Sequence, residues 1–343
     1  MALTLGLLIF SFIITSILVV PFIDFLYKLK FQRQKQITHD AMGERTPIFD
    51  KFHRFKAGTP IGGGLLIILI VSLLYAILFP LISFLGVYIS ASFPVKEELN
   101  ILFFTFLSFG LLGLYDDLMK FFGLAKKGVF GLRMRHKFFI QWILALVIAS
   151  MLYFNLKINF VHVPFIGIFR LGFWYLPFAA TVIVAFTNAF NVTDGLDGLA
   201  SGLLMICLFA FWALSAASLD TVLSIFLALW LGSLIAFLYF NVYPARIFLG
   251  DVGALAFGAT LAVVGLLIGK IMAIVIIGGL FVMEIGSSLV QLLSKKFLGR
   301  RIFCVAPLHL WLQNYGWEEP KIVMRAWLAG IILALFGLWL AVI

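Results

Sequence analysis

The sequence predicts an all-α, polytopic membrane protein with about ten transmembrane helices and both termini on the outer side of the membrane. Of the 343 residues, 64% are hydrophobic and only 12% are charged, whereas a soluble domain carries about 25% charged residues. Apolar runs of about 20 residues, each long enough to cross a bilayer core, recur along the chain. Since no stretch has the composition of a separate soluble domain, we expect residues 1–343 to form one integral membrane domain.

The apolar runs define the predicted spans in chain order. They cover approximately residues 3–25, 59–82, 100–118, 138–156, 176–190, 199–218, 221–240, 250–268, 272–293 and 323–343. The fifth of these spans is the shortest. Between the fourth and fifth, residues 155–176 alternate in polarity and carry a Pro and a Gly near their middle. That pattern indicates a short β-hairpin on the outer face, and an irregular loop is the alternative.

The distribution of positive charge predicts the orientation. With the N-terminus outside, 21 of the 25 Lys and Arg residues fall in the predicted inner loops. This asymmetry follows the positive-inside rule. It also accounts for the net charge of +10, so the basic balance gives no reason to expect nucleic-acid binding.

Five of the nine aspartates lie at three predicted helix ends on the inner face: Asp116, Asp117, Asp194, Asp197 and Asp251. Carboxylates at a membrane edge are rare and usually face a cavity, an ion or a substrate. The pattern therefore predicts a divalent cation and a substrate that carries phosphate. The plainer alternatives are a charged stop signal at residues 116–117 and N-caps at the other two sites.

The spacing within these sites suggests different roles. Asp116 and Asp117 are adjacent, so in a helix their side chains point about 100° apart, and one is expected to face a metal while the other accepts a proton or organises its neighbours. Asp194 and Asp197 are expected to share one helical face with Asn191. The glycines around them and nearby amide donors at a helix start suit a phosphate or a uracil ring.

Asp251 lies in the glycine-rich turn FLGDVG. A carboxylate there could share Mg²⁺ with a diphosphate, because magnesium prefers few protein oxygens together with phosphate oxygens.

Basic residues flank two predicted spans. Lys51, His53, Arg54 and Lys56 precede AGTPIGGG, and Arg133, Arg135 and Lys137 precede the fourth span. Such clusters either set the membrane orientation or contact an anion. Side-chain chemistry alone assigns no function to His309 or Glu284, since a lone His or Glu in an apolar chain is more often structural.

Six motifs occur in order along the chain: KAGTPIGGG, LYDDLMK, NAFNVTDGLDGLASG, FNVYPARIFLGDVGALAFG, MEIGSSLVQ and RRIFCVAPLH…GWEEPKIVMRAW. Together they resemble the family of phospho-N-acetylmuramoyl-pentapeptide transferases, within the polyprenyl-phosphate N-acetylhexosamine-1-phosphate transferase superfamily. The resemblance runs from about residue 51 to 327. The resemblance implies ten membrane helices and a cytosolic site that requires Mg²⁺. It implies transfer of phospho-N-acetylmuramoyl-pentapeptide from UDP to undecaprenyl phosphate, which yields lipid I and UMP in the bacterial plasma membrane.

The resemblance also implies roles for single residues. Asp251 binds Mg²⁺, Asp116 and Asp117 serve the phosphate chemistry, Lys120 contacts phosphate, and Arg135 assists. The resemblance implies that the uridine and diphosphate pocket is lined by Lys56, Gly195, Leu196, Asp197, Asn241 and Phe248. From their position beside Asp197, we expect Asn191 and Asp194 to bind substrate as well.

The chain departs from the family pattern at one place. The family carries three consecutive histidines after Pro-Leu, and here only His309 is present, followed by Leu310 and Trp311. His309 is nevertheless expected to be catalytic. The departure keeps open a relative that uses UDP-GlcNAc, and an ion-coupled transporter is the alternative from another class. Homodimers are known in the family, although the sequence does not fix the oligomeric state.

Overall fold

In the computed structural model, the described residues are 1–32, 56–121 and 134–343. They form twelve α-helices and one two-stranded sheet. The helices are α1 (Ala2–Lys28), α2 (Gly63–Phe84), α3 (Val95–Phe121), α4 (Met134–Ser150), α5 (Tyr175–Thr193), α6 (Leu199–Ala217), α7 (Thr221–Asn241), α8 (Gly250–Ile268), α9 (Ile271–Ile277), α10 (Gly279–Leu293), α11 (Leu308–Asn314) and α12 (Glu319–Val342). A π-helical turn over Met151–Asn155 extends α4.

The helix count agrees with the sequence prediction. Within the described ranges, nine helices are long and apolar enough to cross a membrane, namely α1 to α8 and α12. A tenth span arises if α9 and α10 are taken together. The predicted all-α fold with about ten spans is therefore confirmed.

The uninterrupted apolar run of the ninth span predicts one straight helix, but the structure has two helices there. α9 and the helix that follows it are bent by 78°. The break falls at Gly278, where an added Cβ would lie 2.7 Å from the Phe186 ring and 2.9 Å from the Ile274 carbonyl oxygen. Sharp kinks need a local cause such as small residues, and here only a glycine fits between the bend and α5.

The predicted β-hairpin is present, and its location on the outer face stays a prediction. Strand β1 (Phe160–Val163) pairs antiparallel with β2 (Gly167–Arg170), with Phe160 opposite Arg170 and Val163 opposite Gly167. Pro164, which helped to predict the turn, lies within it, and Gly167 follows it as the first residue of β2.

Two helices form the centre of the bundle. In α7 and α8, 89% of the apolar stretch that could cross the membrane is buried, against 28% in α1, α4 and α12. Phe106, Phe226, Trp230 and Phe257 pack together between α3, α7 and α8, with ring centroids 5.4–5.8 Å apart. The peripheral helices instead expose large apolar side chains such as Ile17 and Leu335, as expected of surfaces that face lipid.

α3 and α8 approach each other closely at the end that carries the aspartates. A Cβ built on Gly113 would overlap the backbone of Asp251 and Val252, so the two helices touch through backbone atoms. Small residues permit this kind of contact between membrane helices. It brings the end of α3, with Asp116 and Asp117, beside Asp251 at the start of α8.

Candidate active site

Two aspartates and two lysines from three helices form one compact group, which we call the acid–lysine cluster: Asp116, Lys120, Lys137 and Asp251. The Lys120 ammonium lies 2.9 Å from Asp116 Oδ2 and 2.6 Å from Asp251 Oδ2. The Lys137 ammonium lies 3.0 Å and 2.5 Å from the same two oxygens. Each of these two Oδ2 atoms thus contacts both ammonium groups, so two negative charges are balanced by two positive charges in this partly buried group.

Asp117 faces away from its neighbour. Its Oδ2 accepts a hydrogen bond from the backbone N–H of Val252 at 3.1 Å, in the first turn of α8, whereas Asp116 faces the lysines. Asn191, near the end of α5, donates from Nδ2 to Asp251 Oδ1 at 3.1 Å. The two adjacent aspartates therefore contact different partners, as expected for side chains that point about 100° apart on a helix.

A second group surrounds Lys56, and we call it the Lys56 cluster: Lys56, Gly195, Asp197 and Glu319. The Lys56 ammonium lies 2.7 Å from Asp197 Oδ1 and 2.6 Å from Glu319 Oε1, and donates to the Gly195 carbonyl at 3.3 Å. Glu319 Oε1 also accepts from the Asp197 backbone N–H at 2.6 Å. All three charged side chains are buried, so the lysine joins three separate segments of the chain.

Hydrogen bonds from backbone N–H groups connect the loops around Lys56. Asp197 Oδ2 accepts from the Ala245 N–H at 2.9 Å, and the Phe248 carbonyl accepts from the N–H groups of Gly62 and Gly63. The Lys56 ammonium lies 5.9 Å from the centre of the Phe248 ring. The half-buried ring therefore forms part of the wall beside the lysine.

Two of the predicted pocket residues have structural partners inside the protein. Asn241 accepts from Ser201 Oγ and donates to the Ile247 carbonyl at 2.9 Å. Leu196 is 3% exposed and belongs to the apolar core. The side chains of both residues thus hold the loops, and their contact with a ligand stays a prediction.

Asp194 and Asp197 do not share a helical face, contrary to the sequence expectation. α5 ends at Thr193 and α6 begins at Leu199, so both aspartates lie in the turn between them. The residue directly before α6, Gly198, has a φ of +75°, in the left-handed region that favours glycine. Burial raises the pKa of the Asp194 carboxyl to about 7, the charge of Asp251 adds to the rise, and Lys56 opposes it. Asp194 thus feels the charges of both clusters.

His309 is fully buried at the start of α11, where Glu284 of α10 holds it. Its Nδ1 lies 3.0 Å from Glu284 Oε2. On the other side of the ring, a Cβ built on Gly195 would lie 2.6 Å from Nε2. The imidazole therefore packs directly against the turn of the Lys56 cluster.

The structure brings together residues that the sequence analysis did not select. Lys137 contacts the carboxylates, while the predicted helper Arg135 is exposed. Glu284 and Glu319 lie in quoted motifs but were assigned no role. Their signal was a carboxylate within or at the end of an apolar span, where charge is costly without a partner. The basic residues Lys51, His53, Arg54 and Arg133 lie outside the described residues.

The donor set suits a hard divalent cation that keeps phosphate and water ligands. Among the described residues, no three carboxylate, imidazole or thiol groups lie close enough together to coordinate one ion by themselves. Magnesium is commonly held by one or two carboxylates plus substrate phosphates. Asp116 and Asp251 already converge on shared positive charge, so their oxygens fit such an ion.

Comparison with known proteins identifies the family. Residues 99–269 match the glycosyl transferase family 4 model. The chain is 33% identical to the phospho-N-acetylmuramoyl-pentapeptide-transferase of Bacillus pumilus, over 98% of this chain and 97% of the relative. It is 35% identical to that of Halalkalibacterium halodurans, over 98% and 96%, and 36% identical to that of Thermodesulfovibrio yellowstonii, over 96% and 90%. The chain belongs to the family of phospho-N-acetylmuramoyl-pentapeptide transferases.

Family membership makes the chain a phospho-sugar transferase of the membrane. The segment that matches the glycosyl transferase family 4 model contains the whole acid–lysine cluster, since that cluster runs from Asp116 to Asp251. Lys56, His309 and Glu319 lie outside that segment but inside the region aligned with the transferases. The two clusters and His309 are therefore the candidate active site of this phospho-sugar transferase.

Proposed function

We propose that this chain transfers phospho-N-acetylmuramoyl-pentapeptide from UDP to undecaprenyl phosphate, which releases UMP and yields lipid I for peptidoglycan synthesis. The acid–lysine cluster at the helix ends is the observation that carries the proposal. It combines the carboxylates and ammonium groups that phosphate chemistry needs. The curated relatives, aligned over nearly the whole chain, are named for this transfer.

The reaction exchanges one phosphorus–oxygen bond for another. An oxygen of the lipid phosphate attacks the β-phosphorus of the UDP-sugar, and the bond from that phosphorus to the bridging oxygen breaks, so that UMP leaves with the bond electrons. We assign the acceptance of the lipid phosphate's proton to one carboxylate of the Asp116–Asp117 pair. Lys120 and Lys137 stabilise the negative charge that develops on the phosphate oxygens, which is the main requirement of such transfers.

We propose that the transfer depends on Mg²⁺, with Asp251 as its principal ligand and Asp116 beside it. When bound, the ion supplies Lewis-acid stabilisation of the phosphate oxygens. Lys120 and Lys137, which neutralise the two carboxylates in this structure, turn toward the diphosphate when it binds.

The Lys56 cluster is assigned to the nucleoside end of the donor. It offers a buried ammonium, the Asp197 carboxylate and the half-buried Phe248 ring within one wall. These groups suit an aromatic base with hydrogen-bonding edges. Asp194, whose pKa responds to the charges of both Asp251 and Lys56, is assigned to the junction of the base and diphosphate sites.

Purified protein tests the proposal directly. We expect UMP release when UDP-N-acetylmuramoyl-pentapeptide and undecaprenyl phosphate are both present, and its loss on chelation of divalent cations. Release from UDP-GlcNAc instead would assign the chain to the related GlcNAc-1-phosphate transferases, a result that the Leu310–Trp311 departure would then explain. Absence of release from either nucleotide would overturn the proposal.

We further propose that both clusters face the cytoplasm of a bacterium, from the inner membrane. The exposed thiol of Cys304 and the buried thiol of Cys207 provide a natural test. A membrane-impermeant maleimide should label Cys304 in inverted vesicles and leave right-side-out vesicles unlabelled. Labelling in right-side-out vesicles would reverse the orientation.

A further inference from the structure

Glu284 binds one histidine through two separate groups. The His309 backbone N–H lies 3.1 Å from Glu284 Oε1 and 3.4 Å from Oε2, and the His309 ring Nδ1 lies 3.0 Å from Oε2. Both residues are buried, with His309 only 1% exposed. One carboxylate therefore fixes both the start of α11 and the rotation of the imidazole ring.

This arrangement determines which ring nitrogen carries the proton. An ionised carboxylate can only accept hydrogen bonds, so the proton lies on Nδ1, between the ring and Glu284. A carboxylate that orients a histidine in this way selects one tautomer, as it does in catalytic triads and around metal-bound histidines. The Nε2 atom then has a free lone pair and acts as an acceptor.

Nε2 has no hydrogen-bond partner among the described residues, although it is buried. It faces Gly195, whose carbonyl contacts Lys56. Leaving a buried polar atom unpaired is unfavourable, and such atoms in native structures call for an explanation such as a catalytic or binding role. Nε2 therefore points toward the wall that we assign to the donor nucleotide-sugar.

We propose that Glu284 is a positioning residue, which presents the Nε2 lone pair of His309 to an N–H or O–H group of the nucleotide-sugar. This inference rests on the proposed function, because it needs a nucleotide-sugar in the pocket. It assigns His309 the recognition of a hydrogen-bond donor. It excludes a phosphate oxygen as the partner, since two acceptors facing each other repel.

The wild-type protein gives the first test without turnover. With ¹⁵N-labelled histidine and the signal of His309 assigned by its loss in His309→Ala, we expect Nδ1 to be protonated and Nε2 unprotonated in the ligand-free protein. Addition of the nucleotide-sugar should shift the Nε2 signal in the direction of an accepted hydrogen bond. A protonated Nε2 that contacts phosphate would overturn the proposal. Because this readout needs no activity, it is independent of the transfer assay.

Glu284→Gln is the informative variant, because it keeps the shape of the side chain. Its amide NH₂ can donate to Nδ1, which moves the ring proton to Nε2 and removes the acceptor. We expect KM for the nucleotide-sugar to rise about 10-fold, the effect of one hydrogen bond between buried partners. The ¹⁵N signals of the two nitrogens should exchange character. An unchanged tautomer together with unchanged KM would overturn the proposal.

Two further comparisons separate positioning from folding. Glu284→Gln should add nothing to the loss in a His309→Ala background, whereas additive losses would show that Glu284 acts without His309. Glu97→Gln is the matched control and should leave KM unchanged. Glu97 is a half-buried carboxylate at the end of α3 far from Asp116 and Asp117, where it accepts an exposed hydrogen bond from Asn155.

Binding measurements locate the donor group. If it belongs to the sugar, Glu284→Gln weakens binding of the complete nucleotide-sugar and leaves UMP binding unchanged. If it belongs to the nucleoside, both weaken equally. Unchanged binding of both ligands would overturn the proposal, while failure of wild-type UMP release would count against the proposed function alone.

Discussion

The acid–lysine cluster and the Lys56 cluster are built from carboxylate and ammonium groups in different ratios. In the first, two carboxylates share two ammonium groups. In the second, one ammonium is shared by two carboxylates and a carbonyl. The first can exchange its internal ion pairs for a metal ion and phosphates, because both signs of charge are present in equal number. The second retains a negative balance that suits the hydrogen-bond donors of a base or sugar and disfavours a phosphate.

The hydrogen bonds of the two clusters show the same contrast. Asp251 is held by side chains, Lys120, Lys137 and Asn191, all of which can turn toward a ligand. Asp197 also binds the Lys56 ammonium, but two of its bonds involve backbone groups: its own N–H donates to Glu319, and its Oδ2 accepts from the Ala245 N–H. We infer that the acid–lysine cluster rearranges during the reaction and that the Lys56 cluster is a preformed wall.

The largest effect is expected for Asp251→Asn. The change keeps the shape of the side chain but removes the charge that faces both lysines and the proposed Mg²⁺. Turnover should fall by about two to three orders of magnitude, as on loss of one key electrostatic group. The rate of UMP release at limiting Mg²⁺ measures this loss of turnover, with membrane insertion and melting temperature as controls. Near-normal turnover would remove Asp251 from the metal site.

The second prediction compares Lys137 with Arg135, two cations two residues apart on α4. Lys137→Ala leaves Asp116 and Asp251 with one ammonium, and we expect turnover to fall about 10- to 100-fold, as on loss of a charged hydrogen bond. Arg135 is exposed, so Arg135→Ala should change turnover by less than Lys137→Ala. Equal losses would show that Arg135 reaches the phosphate as the sequence predicted.

The third prediction concerns the nucleoside wall. Asp197→Ala removes the carboxylate that binds Lys56 and the Ala245 N–H. Affinity for UMP should fall about 10-fold, while the affinity for lipid phosphate stays the same. Calorimetric titration in detergent measures both. If lipid-phosphate binding weakens instead, the assignments of the two clusters must be exchanged.

The smallest effect is expected for Asp194, through pH. Its pKa is raised to about 7 from the ordinary value near 3.9, so the folded protein binds this proton more tightly than the unfolded chain. The contribution of Asp194 to stability is therefore greatest below pH 4, falls as the pH rises from about 4 to 7, and is constant above. Asp194→Asn should flatten the decline of melting temperature between pH 5 and 7. An identical slope in the variant would show that Asp194 ionises normally.

The sequence predicted the elements of this fold better than the contacts between them. Runs of apolar residues are local, so the nine or ten spans of the described residues and the β-hairpin could be predicted without a structure. The break at Gly278 could not, because it depends on how Phe186 of another helix packs against that glycine. Likewise, Asp194 and Asp197 were expected to share a helical face, because nothing in the local sequence showed that α5 ends at Thr193 and that α6 begins only at Leu199.

The same division holds for the candidate site. The sequence by itself determined that aspartates gather at helix ends on one face, because a charge near lipid is costly and its position along an apolar run is visible. Only the tertiary structure decided the partners. Lys56 meets Glu319 across 263 residues, and Lys137 meets Asp251 across 114. Such pairs depend on where helices cross. The crossing points are set by the packing of side chains from several helices at once, so no periodic pattern in the sequence predicts them.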